Sequence, residues 1–508
     1  MKRQNIVKAI VTIAVTFAFV MPGSAILVNN KVTTTPIKNP AVWVQEAKLT
    51  PSDGVTPPAF FGFSVAINGD TAVSGAWMKD GLKGAAYVYT RTGMNWTEVK
   101  KLTAGDGTPP DEFGYAVSID GNSIIVGAYN DNGGQGSAYV FTRSGTNWTQ
   151  EAKLEANDGI PGDGFGFTVS INGDTALVGA WRDENLTGAA YVFVRNGTTW
   201  TQQAKLTASD GEIDDEYGYS VSISGDSAIV GARKDEASTG AAYVYTRTGT
   251  TWTEEAKLTA SDGAPDDLFG LSVSISGDSA IAGAAGNPSK TGTAYVYKRT
   301  GSTWTEEAKL VGSDSKIGEG FAWAVSIDTD LLIAGSPGGN ANNGTAYVFA
   351  RTGTSWTEEA KLTASDATPG DFLGISVSIS GGSAIAGAFG DGGYIGSAYV
   401  FRKAVALEVG TLKGGFGVAT TVQNIGIATA TNVSWNITVT GGLLGLIHKT
   451  TKDTITSLAA GEVSDPLKTG LFLGLGKITI TVTVTCDQGV SAEKTATGTQ
   501  LVILTLIQ

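Results

Sequence analysis

The chain has 508 residues, with 69 glycines, one cysteine, one histidine and a formal charge of −13. A single cysteine excludes an intramolecular disulfide framework. The acid excess leaves no basic stripe for nucleic acid or an anionic membrane, and one histidine leaves almost no base for a serine or cysteine nucleophile.

Residues 1–8 are basic, 9–21 are apolar, and Gly23-Ser24-Ala25 offers a small-residue cleavage site. This pattern reads as a signal peptide over residues 1–25, because the apolar run is too short to span a bilayer with these flanks. The mature chain is therefore expected to be secreted or displayed at the cell surface, with no transmembrane span. Residues 26–40, rich in Thr, Asn and Pro without periodicity, read as a flexible leader.

From 41 to 404 one unit returns at a step of 52 residues, with Tyr at 87, 139, 191, 243, 295, 347 and 399. Seven copies of a unit that cannot bury its own faces must stack into an array or ring. Short alternating runs divided by turns such as SGDS and RTGS predict four strands per unit. In FGLSVSI the residues Phe269, Leu271, Val273 and Ile275 share one face and Gly270, Ser272 and Ser274 the other. So bare a face suits a strand near a crowded axis, where a neighbouring sheet approaches the backbone. SAIAGA and TAYVYK follow, and WTEEAKL alternates as a half-solvated outer strand should. Four-stranded sheets repeated radially predict a β-propeller. The first copy opens with a lone outer strand, VWVQEAKL at 42–49, whereas the last stops after its third strand near 403. Pairing the two would close a seven-bladed ring with no long exposed edge.

Phe61, Phe113, Phe165 and Phe269 are each followed by Gly. Gly-Ala ends the second strand at Gly75, Gly127, Gly179, Gly231, Gly283 and Gly387, and Gly-x-Ala-Tyr-Val follows. These motifs resemble the FG-GAP repeat, which builds the seven-bladed head of integrin α chains and of many secreted prokaryotic proteins. The resemblance implies noncovalent recognition of an extracellular protein or glycan, as in adhesion. Tyr217 and Leu373 replace Phe, and Ala322 replaces the Gly after Phe321. The calcium loop of integrin-type repeats is absent, since tight turns such as Asn68-Gly69-Asp70 stand between the first two strands. No cofactor is carried over. The D-x-E-x-D run from Asp210 to Asp214 offers oxygen ligands at a spacing suited to Ca²⁺, without the loop glycine or distal acid of a calcium loop. Gly-Thr-Thr-Trp at 249–252 is similar to half of the Asp box of sialidase propellers, with Arg247 at the Asp position. Such an arginine is placed to lie on an aromatic face.

Antiparallel strands put the links from strand two to three and from strand four to the next blade on one face. Those links are the longer ones and are acid-rich, which makes this face the expected binding surface. The first Asp of each Ser-Asp-Gly group, such as Asp106 or Asp210, is most simply an Asx turn closing on its own backbone. A second carboxylate precedes the Phe-Gly pair by two residues. With Asp214 from the densest cluster, this defines the candidate ligand-binding set of Asp111, Asp163, Asp214, Asp215, Asp267, Glu319 and Asp371. The recurring acids either accept N–H groups of their loops or ring the axis mouth to meet a ligand. No catalytic motif is present, so the protein is not expected to be an enzyme. The alternatives are a carbohydrate-active enzyme with convergent acids near the axis and a structural envelope component. Beyond 405 the repeat stops, and alternating runs separated by turns predict an Ig-like β-sandwich over 405–508.

Overall fold

A computed structural model describes residues 43–507, apart from 55–56, 94, 404, 406, 415–416, 425–428, 460, 471–473, 487–490 and 503. The expected signal peptide and leader lie outside the described residues. The chain divides into a compact unit Trp43–Arg402 and a carboxy-terminal unit from Lys403 onward.

The first unit contains seven four-stranded antiparallel sheets. Blade 2 is representative, with inner strand Ala116–Asp120, second strand Ser123–Ala128, third strand Ser137–Ser144 and outer strand Asn147–Leu154. In blade 7 the fourth strand comes from the other end of the chain, because Trp43–Leu49 lies beside Ser397–Lys403. The ring is closed at its inner wall as well. Ser64 Oγ accepts the Val117 N–H at 3.0 Å, and Ser376 of blade 7 accepts the Val65 N–H of blade 1 at 3.0 Å. The bare face of each inner strand thus has a use, since its serines satisfy backbone donors of the following blade.

Each apolar cluster straddles two blades. Val73, Val88 and Leu102 of blade 1 pack with Phe113, Val117, Tyr139 and Phe141 of blade 2. Ile385 and Val400 of blade 7 pack with Leu49, Phe61 and Tyr87 in the same way. Burial therefore accrues at interfaces between blades, as a repeat with no self-sufficient core requires. At the periphery the arginines preceding the last hairpin lie over tryptophan rings, Arg247 at 5.3 Å from the Trp252 ring and Arg143 at 5.5 Å from Trp148.

Where blades meet, backbones approach closely enough to favour glycine. A Cβ on Gly75 would lie 1.9 Å from the carbonyl oxygen of Gly114, which itself has φ +94°. This contact explains why Phe-Gly and Gly-Ala recur together: each supplies backbone that the next blade must approach. Ala322 occupies the Gly114 position in blade 6 with φ +66°. A left-handed alanine carries a steric penalty of about 1 kcal/mol. Ala322→Gly is therefore expected to stabilise the protein by about 0.5 kcal/mol after the added unfolded-state entropy is subtracted. A urea midpoint that does not rise would contradict this.

The carboxy-terminal unit is also all β. A five-stranded antiparallel sheet runs in the order Ile447–Leu458, Ala430–Gly441, Gly474–Thr485, Ser491–Val502, Leu504–Ile507. Two small pairs accompany it, Leu407–Val409 with Val422–Asn424 and Ala419–Thr420 with Leu467–Lys468. Ile478, Ile480, Val482 and Val484 point into its core with Val433, Ile437 and Val439. The alternation read from ITITVTV is the alternation observed.

Candidate functional site

The loop-rich face of the propeller carries a repeated polar cluster. In blade 2 the Tyr139 hydroxyl donates to Asp106 Oδ1 at 2.9 Å, and Lys153 Nζ sits 2.8 Å from both Asp106 and Asp131. Asp106 lies on the link arriving from blade 1, whereas Tyr139, Lys153 and Asp131 belong to blade 2. Asp210 with Tyr243 and Lys257, and Asp314 with Tyr347 and Lys361, repeat the arrangement. The Ser-Asp-Gly aspartates are thus more than Asx turns closing on their own backbone. They latch one blade to the next, because a tyrosine hydroxyl buried beneath the link needs an acceptor.

Bonding to Lys153 holds the Asp106 carboxyl below the usual carboxylate range, and Tyr139 adds to the effect. Burial works against the Lys153 charge, but Asp106 and Asp131 together raise its pKa. A lowered carboxylate pKa stabilises the fold above the ordinary Asp range, and that contribution is lost as pH falls through the folded-state pKa. Asp106 is half exposed, so Asp106→Asn is expected to cost less than about 1 kcal/mol at neutral pH. The difference should be smaller in acid, below the ordinary Asp pKa of about 4, than at neutral pH. Urea melts at both pH values check this, and an equal difference at both would contradict it.

The recurring acids of the candidate set cap their own loops. Asp111 accepts the Thr108 N–H at 2.5 Å, Asp163 that of Ile160 at 2.7 Å, and Asp215 that of Glu212 at 2.6 Å. Asp267, Glu319 and Asp371 do the same for Ala264, Lys316 and Thr368. All but Glu319 are buried. Burial raises the carboxyl pKa of Asp163 and Asp215, partly offset by those backbone donors. Asp267 additionally binds Lys290 at 2.5 Å. Asp214 alone of the set is exposed. The acids of the Asp210 cluster diverge: Asp210 meets Tyr243 and Lys257, Asp215 caps its loop, and Glu216 meets Arg233 and Lys234. Among the described residues no group of three or more His, Cys, Asp or Glu is arranged to hold a metal ion.

Aromatic side chains gather instead where these acids were expected to act. Phe63, Tyr115, Phe167 and Tyr219 occupy one position in successive blades, with ring centroids 5.1, 5.0 and 5.0 Å apart. Equivalent positions of different blades come this close only near the axis. Trp77, Tyr129 and Trp181, at the ends of second strands, fill the spaces between them at 4.5–6.0 Å. Phe389 and Phe60 extend the crown into blade 7, and the half-exposed Tyr394 packs on Phe60. Arg233 stacks 3.7 Å over Tyr219, held by buried Glu216, and Arg182 lies 4.5 Å over Trp181. Glu112, its carboxyl pKa raised by burial, borders Tyr129, whose own pKa is pushed up to about 12 by burial and by Glu112. The corresponding positions in blades 5 and 6 hold Leu271 and Trp323, so the crown is richest on one side.

Strand alternation placed Leu271, and by repetition Tyr115, on the blade-core face. The left-handed glycine before each of these residues breaks that alternation. Phe113 consequently enters the core against Tyr139, while Tyr115 turns to the crown. The signal was available in the repeat: the residue after each Phe-Gly reads Phe, Tyr, Phe, Tyr, Leu, Trp, Ile around the ring.

The model of the FG-GAP repeat matches seven times, at residues 43–89, 96–141, 148–193, 200–245, 252–297, 304–349 and 356–401. A search among curated proteins finds no match. With seven matches tiling the seven blades of a closed ring, the chain belongs to the FG-GAP repeat family.

Proposed function

We propose that this protein is a secreted or cell-surface binding protein that recognises an extracellular glycan or protein through the loop-rich face of its propeller. FG-GAP repeats build propellers that commonly serve binding or adhesion, and no helix among the described residues is long and apolar enough to cross a membrane. The observation that carries the reading is the aromatic crown. It is a partly exposed apolar surface at the convergence of seven blades, rimmed by Arg182 and Arg233. Clustered aromatics with a few charged groups are what a noncovalent ligand site needs, because rings supply contact area at low entropic cost and the rim supplies orientation. The capped acids serve this site by shaping the loops around it. The integrin-like role extends to the carboxy-terminal unit, which we read as an Ig-like sandwich acting as spacer or docking module, and the whole as non-enzymatic.

Glycan and protein arrays, with and without Ca²⁺, test the proposal. Tyr115→Ala with Phe167→Ala is expected to weaken binding of any ligand found by roughly thirtyfold, the equivalent of about 2 kcal/mol. Binding that survives this pair and is lost on replacing Asp214 would move the site to the acidic loops. Release of sugar from the array would establish an enzyme instead.

A further inference from the structure

The hairpin between strands Ala430–Gly441 and Ile447–Leu458 of the carboxy-terminal unit ends in Gly-Leu-Leu-Gly-Leu. Leu443, Leu444 and Leu446 are 62%, 88% and 81% exposed. Among the described residues Ile447 is the last of this hairpin end in the apolar core, and the short turn Leu443–Gly445 sets the leucines outside that core, beside Gly476 of the neighbouring strand. Hairpin tips ordinarily use Gly, Asn or Asp, for which the turn geometry is cheap. Leucines this exposed add little burial to the fold.

Directly behind them the surface is basic. His448 and Lys449 follow on one strand, Lys452 lies further along it, and the exposed Lys477 stands beside the tip, its carbonyl accepting the Gly442 N–H at 2.6 Å. No carboxylate occurs between residues 441 and 452. The net acidity of the chain argues against an anionic surface, but charges act over about 8 Å in physiological salt, so the tip answers to its own collar.

We propose that this hairpin tip inserts its leucines into an anionic lipid bilayer surface. A strand rise of about 3.4 Å per residue puts Lys449 about 7 Å behind Ile447, at headgroup level when the leucines reach the acyl boundary, the depth typical of interfacial insertion at about 5–10 Å. Lysines at that level meet the negative surface potential.

The test is co-sedimentation of the chain from residue 26 onward, without the apolar residues of the expected signal peptide, with phosphatidylcholine vesicles with and without phosphatidylserine. The chain is expected to sediment with the phosphatidylserine vesicles. Leu444→Asp with Leu446→Asp should lower the partition coefficient at least about tenfold, and Lys449→Gln with Lys477→Gln should abolish the preference for phosphatidylserine. Because the leucines are exposed, an unchanged thermal melt of their variant establishes that the fold is intact. Equal sedimentation of variant and parent, or no sedimentation of either, would overturn the proposal. So would concentration-dependent dimerisation that disappears in the leucine variant without any vesicle binding, which would make the tip a contact between copies of this chain.

Discussion

Removing residues 43–49 is expected to abolish cooperative unfolding of the propeller. Blade 7 would keep three strands, exposing the edge of Ser397–Lys403 and the buried Tyr399 and Phe401. The deletion removes buried Trp43 and Leu49, each worth about 1.5–3 kcal/mol of burial. It also removes Lys48, which bridges Asp366 and Asp391 at 2.7 and 2.6 Å, and Glu46, which meets Arg91 at 3.2 Å. Their combined loss is comparable to the whole stability of a typical domain, about 5–15 kcal/mol. It also opens a free β-edge prone to association. Calorimetry should show a broad or absent transition and light scattering a rise in aggregation. An unchanged melt would mean that the ring does not depend on this closure.

The second large effect concerns a single atom. Gly114→Ala would place a Cβ 2.2 Å from the Ala85 carbonyl oxygen in the preceding blade, on a backbone with φ +94°. Neither partner is a flexible side chain, so the blades must separate. The conformational penalty of about 1–2 kcal/mol adds to an overpacking cost of about 1–3 kcal/mol, giving an expected destabilisation of about 2–5 kcal/mol. At Gly54, φ is +58° and a Cβ would meet nothing within 4 Å, so Gly54→Ala bears only the conformational part. Urea denaturation of the two variants separates the terms. Equal losses would show that the approach of the blades is not the cause.

The repeat register, the four strands of each blade and the closure by 42–49 were all legible from residue order. A period-two pattern and a 52-residue recurrence are local properties, and the complementary truncations at 42 and 403 state how the ends must pair. The alternation of ITITVTV likewise read correctly in the second unit, because a strand with one buried face reports its own orientation. The destination of the acids was not legible in this way. Asp106 meets Tyr139 and Lys153, 33 and 47 residues away, and only the packed blades show that these aspartates join neighbours. The crown escaped for a related reason: one left-handed glycine turns the residue that follows it, such as Tyr115, away from the face that Phe113 and Val117 share, which period-two counting cannot register. Composition and spacing thus settled the ring, since stacking a repeated amphipathic unit has few solutions. Which side chains remain free for a ligand was decided in three dimensions, where buried hydroxyls and loop N–H groups claim the nearest carboxylates and leave the rings at the axis.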